Sequence, residues 1–162
     1  MNADREAVPG EDVLDLHATT VVVGEEGILI RGPSGSGKTR LALAIVAEAR
    51  RSGRFARIVA DDRTRVSARG DRLVARPHPR LAGFVERRGL GVLAVEHEPA
   101  AVLRLVVDLQ MAGWPARLPE LDDLKTVMAG AVLHRLPVAG HAPTSDAVAL
   151  VCEGLAALTT SS

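Results

Sequence analysis

Aromatic side chains are scarce in this chain. It has no Tyr, one Trp and two Phe, only 2% of its 162 residues. Stacking platforms for single-stranded nucleic acid are therefore not expected. An excess of positive charge is missing as well: Lys+Arg and Asp+Glu both number 20, so the formal net charge is zero. Nucleic-acid binders need surplus cations to displace counterions from phosphates. No nucleic-acid partner is expected, although a local basic patch is compatible with this balance. Cys152 is the only cysteine. One thiol closes no intramolecular disulfide, and no cysteine cluster exists to hold zinc. No apolar run is long enough to span a bilayer. The polar start, Met1-Asn2-Ala3-Asp4-Arg5-Glu6, lacks the apolar run of a signal peptide. The expected setting is cytoplasmic, with no membrane association.

What is present suits a soluble globular fold: 47% hydrophobic and 25% charged residues. With few aromatics, the core falls to Val, Leu, Ile and Ala. The length fits one domain with a core of its own. The expected layout is a flexible N-terminal tail over 1–12, charged and containing Pro9-Gly10, and a single domain over 13–158.

Val13 to Val23 reads as a strand, with β-branched Thr19-Thr20-Val21-Val22-Val23 at its end. Gly24 to Gly27 reads as a turn, and Ile28-Leu29-Ile30 as a short apolar strand. From Lys38 to about Arg51 the pattern is helical, with Leu41, Ile45 and Ala49 four apart and Ser52-Gly53 as the stop. Ile58-Val59-Ala60 reads as a buried strand ending in Asp61-Asp62. Val66 to Ala68 and Leu73 to Ala75 flank Gly70-Asp71 as a hairpin. Leu81 to Arg88 reads as a short helix. Strands are expected over Gly91–Val95, Val102–Val107 and Val132–Val138. A final helix is expected over Ser145–Leu158, capped by Ser145 or Thr144. Strands outnumber helices, so the expected fold class is α/β with a mixed, strand-rich sheet and flanking helices.

One segment carries clear chemistry. Gly32-Pro33-Ser34-Gly35-Ser36-Gly37-Lys38-Thr39 matches G-x-x-x-x-G-K-[ST] in full. Glycines let successive N–H groups turn inward to cradle phosphates, and the following helix adds its N-terminus. Lys38 is suited to the β- and γ-phosphates, and the Thr39 hydroxyl to magnesium. The loop follows an apolar strand and opens a helix, which is the context the motif requires. Asp61-Asp62 ends the next strand, where ligands gather in such folds. One acid can hold magnesium and the other can take a proton from an attacking hydroxyl. Without the loop upstream, this pair would read as a chain turn matched to Arg63 or Arg65.

Three segments together make the chain similar to the HPr serine kinase/phosphorylase family. They are Leu16-His17; Gly27 through Thr39 with Val59-Ala60-Asp61-Asp62; and Leu81-Ala82-Gly83-Phe84-Val85-Glu86-Arg87-Arg88-Gly89-Leu90-Gly91-Val92-Leu93. The last matches the family signature, a glutamate, any residue, then Arg-Gly-x-Gly. The similarity covers roughly residues 14–110. It implies the catalytic C-terminal domain of that family, a P-loop kinase fold of the HPr kinase and phosphoenolpyruvate carboxykinase type. It implies ATP and Mg2+ as cofactors and HPr, a phosphocarrier of the sugar phosphotransferase system, as the partner phosphorylated on serine. Many members also run the reverse phosphorolysis. By position the proton-transferring aspartate is Asp62, with Asp61 next, and Lys38 and His17 join it as catalytic residues. Glu86 corresponds to a magnesium ligand beside Thr39 and Asp61. Arg88, with Gly89 and Gly91, corresponds to the phosphate-directed signature loop, where the glycines are expected to permit a close backbone approach. A homo-oligomer, a hexamer in the family, is also implied.

The sequence departs from the family pattern in places. Longer members carry an extra N-terminal domain, whereas a short segment precedes His17 here, so no sensing domain is expected. Thr39 stands where serine is usual, and Arg40 replaces an acidic residue. Pro137-Val138-Ala139-Gly140-His141 lacks the late arginine of the family, which puts the reverse reaction in question. Two other readings compete with a protein-serine kinase: a small-molecule P-loop kinase, and a nucleotide-binding regulatory module with little catalysis.

Overall fold

In the computed structural model, residues 12–160 are described. The tail expected over 1–12 lies almost wholly outside them. Eleven strands, two α-helices and one 3-10 helix follow in order. β1 (Val13–Leu16), β2 (Ala18–Val23) and β3 (Glu26–Arg31) lead into the glycine-rich loop and α1 (Lys38–Arg51). β4 (Ala56–Ala60), β5 (Thr64–Arg69), β6 (Arg72–Pro77), β7 (Phe84–Arg87) and β8 (Gly91–Ala94) precede the long β9 (Ala101–Gln110). The 3-10 turn Leu121–Leu124, β10 (Lys125–Met128), β11 (Ala131–Ala139) and α2 (Thr144–Thr159) complete the described residues.

The sheet is mixed. Strands run β1-β5-β6-β9-β3-β2-β4, with β11 also on β9 and β10 on β11; β7 and β8 form a separate hairpin. β3, β9 and β11 are parallel neighbours, while β2 is antiparallel to both β3 and β4. Successive residues of the central strands enter different cores, which is why these strands read as continuous apolar runs. Ile28, Ile30, Leu105 and Val107 pack toward α1 and α2. Leu29, Leu103 and Val106 pack on the other face against Val66, Leu73 and Met128. The expected mixed, strand-rich α/β architecture is the one observed.

Several local expectations change. The strand expected over Val13–Val23 breaks at His17, because β1 pairs with β5 whereas β2 pairs with β3 and β4. The helix expected over Leu81–Arg88 is instead a turn and β7. Gly83 at φ +79 interrupts any helix there, and Val85 is buried against the α1 core. α2 has no side-chain cap: Pro143 is the N-cap residue, and Thr144 and Ser145 are already helical. The unassigned stretch after Pro119 supplies the 3-10 turn and β10.

A charged cluster pins the strand that feeds the loop. Arg31, the last residue of β3, holds Asp108 of β9 in a fork at 2.7 and 2.8 Å. Arg135 of β11 bonds the same carboxylate and donates to the Asp123 carbonyl at 2.8 Å. Burial alone would raise the Asp108 carboxyl, but the two guanidiniums outweigh it and hold it below the usual aspartate range. A carboxyl depressed on folding adds stability above its unfolded value and loses it as pH falls through the folded value. Asp108→Asn is expected to cost about 2 kcal/mol at neutral pH, between the values for exposed and buried pairs. In urea denaturation the gap to the parent should be full above about pH 4 and close as the pH drops further.

Candidate active site

The loop between β3 and α1 takes its shape from its glycines. Gly32 approaches its neighbours so closely that a Cβ there would lie 2.7 Å from the Ser36 hydroxyl and 3.0 Å from the Leu109 side chain. Gly37, at φ +92, is the N-cap of α1 in the left-handed region that L side chains avoid. The Ser36 N–H bonds the Pro33 carbonyl at 3.1 Å, closing the loop as a turn. The Ser36 hydroxyl is buried and has no hydrogen-bond partner. An unsatisfied buried donor of this kind fits a loop built for phosphate oxygens.

Lys38 folds back over the loop. Its Nζ donates to the carbonyls of Gly32 at 2.9 Å and Pro33 at 3.0 Å, and lies 3.3 Å from His17 Nε2. Burial pulls its ammonium below the usual lysine range, against the pull of Asp62 and Asp61. The ammonium is therefore partly desolvated, which strengthens its attraction for an anion.

The two aspartates occupy different environments. Asp61 is 4% exposed. Its Oδ1 accepts from Thr39 at 2.7 Å and from Thr19 at 2.9 Å, and its Oδ2 accepts the Glu86 N–H at 3.1 Å. Asp62 has a side chain 59% exposed and a backbone φ of +63. Positive φ in a non-glycine residue is costly and collects at functional sites. His17 Nδ1 lies 3.1 Å from Asp62 Oδ1. A neutral ring that accepts from Lys38 at Nε2 carries its proton on Nδ1, on the side of Asp62. The chain of contacts is thus Lys38 to His17 to Asp62. The kink at His17 between β1 and β2 makes this reach possible.

A cavity of about 510 Å³ opens over these groups, within the usual range for small-molecule sites. It is lined by residues 34–40 of the loop, His17, Asp61, Asp62 and the start of the β7–β8 turn. Glu86, in β7, and Arg88, in the β7–β8 turn, both line it. Gly89 and Gly91, at φ +85 and +82, have open space where a Cβ would stand. Their positive φ shapes the β7–β8 turn. The sequence-expected residues Ser34 through Thr39, Asp61, Asp62, His17, Glu86 and Arg88 therefore line one cavity, whereas Gly32, Pro33, Gly89 and Gly91 do not. For a divalent cation the available oxygens are the Thr39 hydroxyl, the Asp61 carboxylate and Glu86, a hard donor set suited to magnesium.

Thr19 is the residue that sequence reasoning passed over. It is fully buried in β2 and donates to Asp61. Its only signal was a hydroxyl inside an apolar strand, which β-branching explains equally well. The late segment offers the cavity Gly140 and Met111 and no arginine; His141 instead packs edge-on against Trp114 at 4.5 Å.

Comparison with known proteins places these features in context. The HPr Serine kinase C-terminal domain family matches residues 12–111. The chain is 35% identical over 101 residues to an HPr kinase/phosphorylase of Neisseria meningitidis, covering 57% of this chain and 30% of that protein. It is 36% identical over 117 residues to one of Chromobacterium violaceum, covering 67% and 35%. The chain thus spans about a third of the length of these curated relatives. The HPr(Ser) kinase/phosphatase structure from Coxiella burnetii superposes with a TM-score of 0.68 at 21% identity, over 90% of this chain and 99% of that one. This likeness establishes the fold.

The Thr19 bond can be measured directly. Thr19→Val keeps the strand and removes one donor from a buried carboxylate, so about 1.5–3 kcal/mol should be lost in urea denaturation. In an Asp61→Asn background the same change should cost much less; equal costs in both would rule out the coupling.

Proposed function

Because the chain belongs to the HPr serine kinase C-terminal domain family, we propose that it is a cytoplasmic, ATP- and Mg2+-dependent protein-serine kinase. Its substrate is HPr or a related phosphocarrier, and its role is control of carbohydrate metabolism. The observation that carries this reading is the contrast between a buried, triply bonded Asp61 and an exposed, His17-linked Asp62 beside one phosphate loop. Residues 13–158 act as one domain in this proposal.

The residues divide the work. N–H groups of Gly32–Thr39 and the Lys38 ammonium bind the triphosphate. Lys38 exchanges two backbone carbonyls for phosphate oxygens, which makes stronger, charge-assisted bonds. Thr39, Asp61 and Glu86 are the residues to hold magnesium, which supplies neutralisation of phosphate charge. Asp62 accepts the proton of the serine hydroxyl as its oxygen bonds to the γ-phosphorus and the bond to the β-phosphate oxygen breaks. His17 holds the Asp62 carboxylate in place. Arg88 reaches the phosphoryl group from the β7–β8 turn.

A second reading has one observation in its favour. The cavity wall near Pro137–His141 carries no arginine, so phosphorolysis is weak or missing and forward transfer slow, leaving a nucleotide-binding regulator. The assay that separates them uses labelled ATP, magnesium and purified HPr. Transfer to a carrier serine is expected, abolished by Lys38→Ala and reduced roughly 10²–10⁴-fold by Asp62→Asn. Tight ATP binding without transfer would select the regulator. Supplying inorganic phosphate and phosphoserine carrier tests the reverse direction. Assembly into a homo-oligomer is part of the proposal; light scattering should give a mass several times that of one chain.

A further inference from the structure

The function proposed above leaves one large feature unused. Between Arg63 and Arg80 every side-chain charge except Asp71 belongs to an arginine. In a chain of zero net charge, this is a strong local segregation. The register of the β5–β6 hairpin stacks these charges in rows: Arg65 is opposite Arg76, and Arg69 is opposite Arg72. Like charges placed directly across a sheet destabilise it. The inner face of the same strands carries Val66, Leu73 and Ala75 in the core. The arginines therefore share the outer face, where Arg69, Arg72 and Arg76 are exposed. Asp15, opposite Arg65 on β1, forms its ion pair with Arg63 at 2.9 Å. Arg65, Arg72 and Arg76 form no ion pair among the described residues. Partial burial and the charge of Arg69 pull the Arg76 guanidinium below the usual arginine range, a sign of crowding.

The location gives the patch a direction. β5 starts two residues after Asp62, and the Arg63 N–H bonds the Asp61 carbonyl at 2.7 Å. The basic face therefore begins at the proton-accepting carboxylate and runs away along β5 and β6. A protein substrate whose serine reaches Asp62 has this track beside it for the rest of its surface. Nucleic acid fits the patch poorly. No Phe, Tyr or Trp lies between 63 and 80 for base stacking.

We propose that the outer face of β5 and β6 docks an acidic segment of the phosphoacceptor protein and so brings its serine to Asp62. This rests on the kinase reading and adds the chemistry of the partner surface.

The test uses the whole chain and a fluorescent Glu-rich peptide with a central serine, against the same peptide with Gln for Glu. Anisotropy should show binding of the Glu peptide that weakens as salt rises. Arg65→Glu with Arg76→Glu should weaken it about tenfold or more, with unchanged circular dichroism and unchanged nucleotide binding. If that pair does not fold, Arg65→Gln with Arg76→Gln should give a smaller drop. Equal binding of the Gln peptide, or undiminished binding by a folded double variant, overturns the proposal. So does a DNA or RNA duplex that displaces the peptide at lower concentration, which would make the face a nucleic-acid surface. Peptide binding is read without phosphotransfer, and nucleotide binding separately. Loss of the kinase reading alone would leave the peptide result standing.

Discussion

The arrangement depends on one carboxylate. Asp61 collects a hydroxyl from β2, a hydroxyl from the first turn of α1 and a backbone N–H from β7. Three elements distant in sequence are thereby fixed to one atom group at the carboxyl end of β4. A buried charge is costly unless it is fully hydrogen-bonded. Here the bonds are present, so the cost becomes a constraint: any shift of the helix start or of the β7–β8 hairpin would strip a donor from a buried anion. The phosphate loop sits between these points and inherits their rigidity.

The same constraint sorts the two neighbouring aspartates. Identical side chains one residue apart differ because both lie just past the end of β4 and the backbone turns to positive φ at the second of them. Asp61 still points into the sheet, whereas Asp62 has turned to positive φ and faces the cavity. Asp61 already accepts three hydrogen bonds, two on Oδ1 and one on Oδ2, which leaves it less room for a further proton. Asp62 has solvent, one histidine and space for a hydroxyl. From sequence alone the order of the two could only be argued by position; the hydrogen bonds show that their environments differ.

Much of this was legible because its signals are local. The glycine spacing 32–37, the four-residue period of Leu41, Ile45 and Ala49, and the Gly70-Asp71 turn each act within a few residues. α1 and the β5–β6 hairpin accordingly fall where the pattern puts them. The failures are of another kind. Residues 81–88 carry enough helix formers to read as a turn of helix, but tertiary burial of Val85 and the backbone of Gly83 decide for a strand. The break at His17 follows from a change of strand partner, which no local pattern records. Thr19, Arg31 and Asp108 matter through partners 42 and 77 residues away. Pairing at that range leaves no periodic trace.

The Arg31–Asp108–Arg135 cluster extends the argument to the far side of the loop. Gly32 follows Arg31 directly, and its tight contact with Leu109 is next door to Asp108. The fork therefore clamps the entrance of the loop to β9 as Asp61 clamps its exit to β4. Between the two clamps, six residues span from β3 to α1 with three glycines in unusual backbone conformations. A flexible sequence held at both ends by charge-assisted bonds has few arrangements open to it. A loop so constrained needs little backbone reorganisation to meet an anion, which is the condition under which fixed dipoles contribute most to binding.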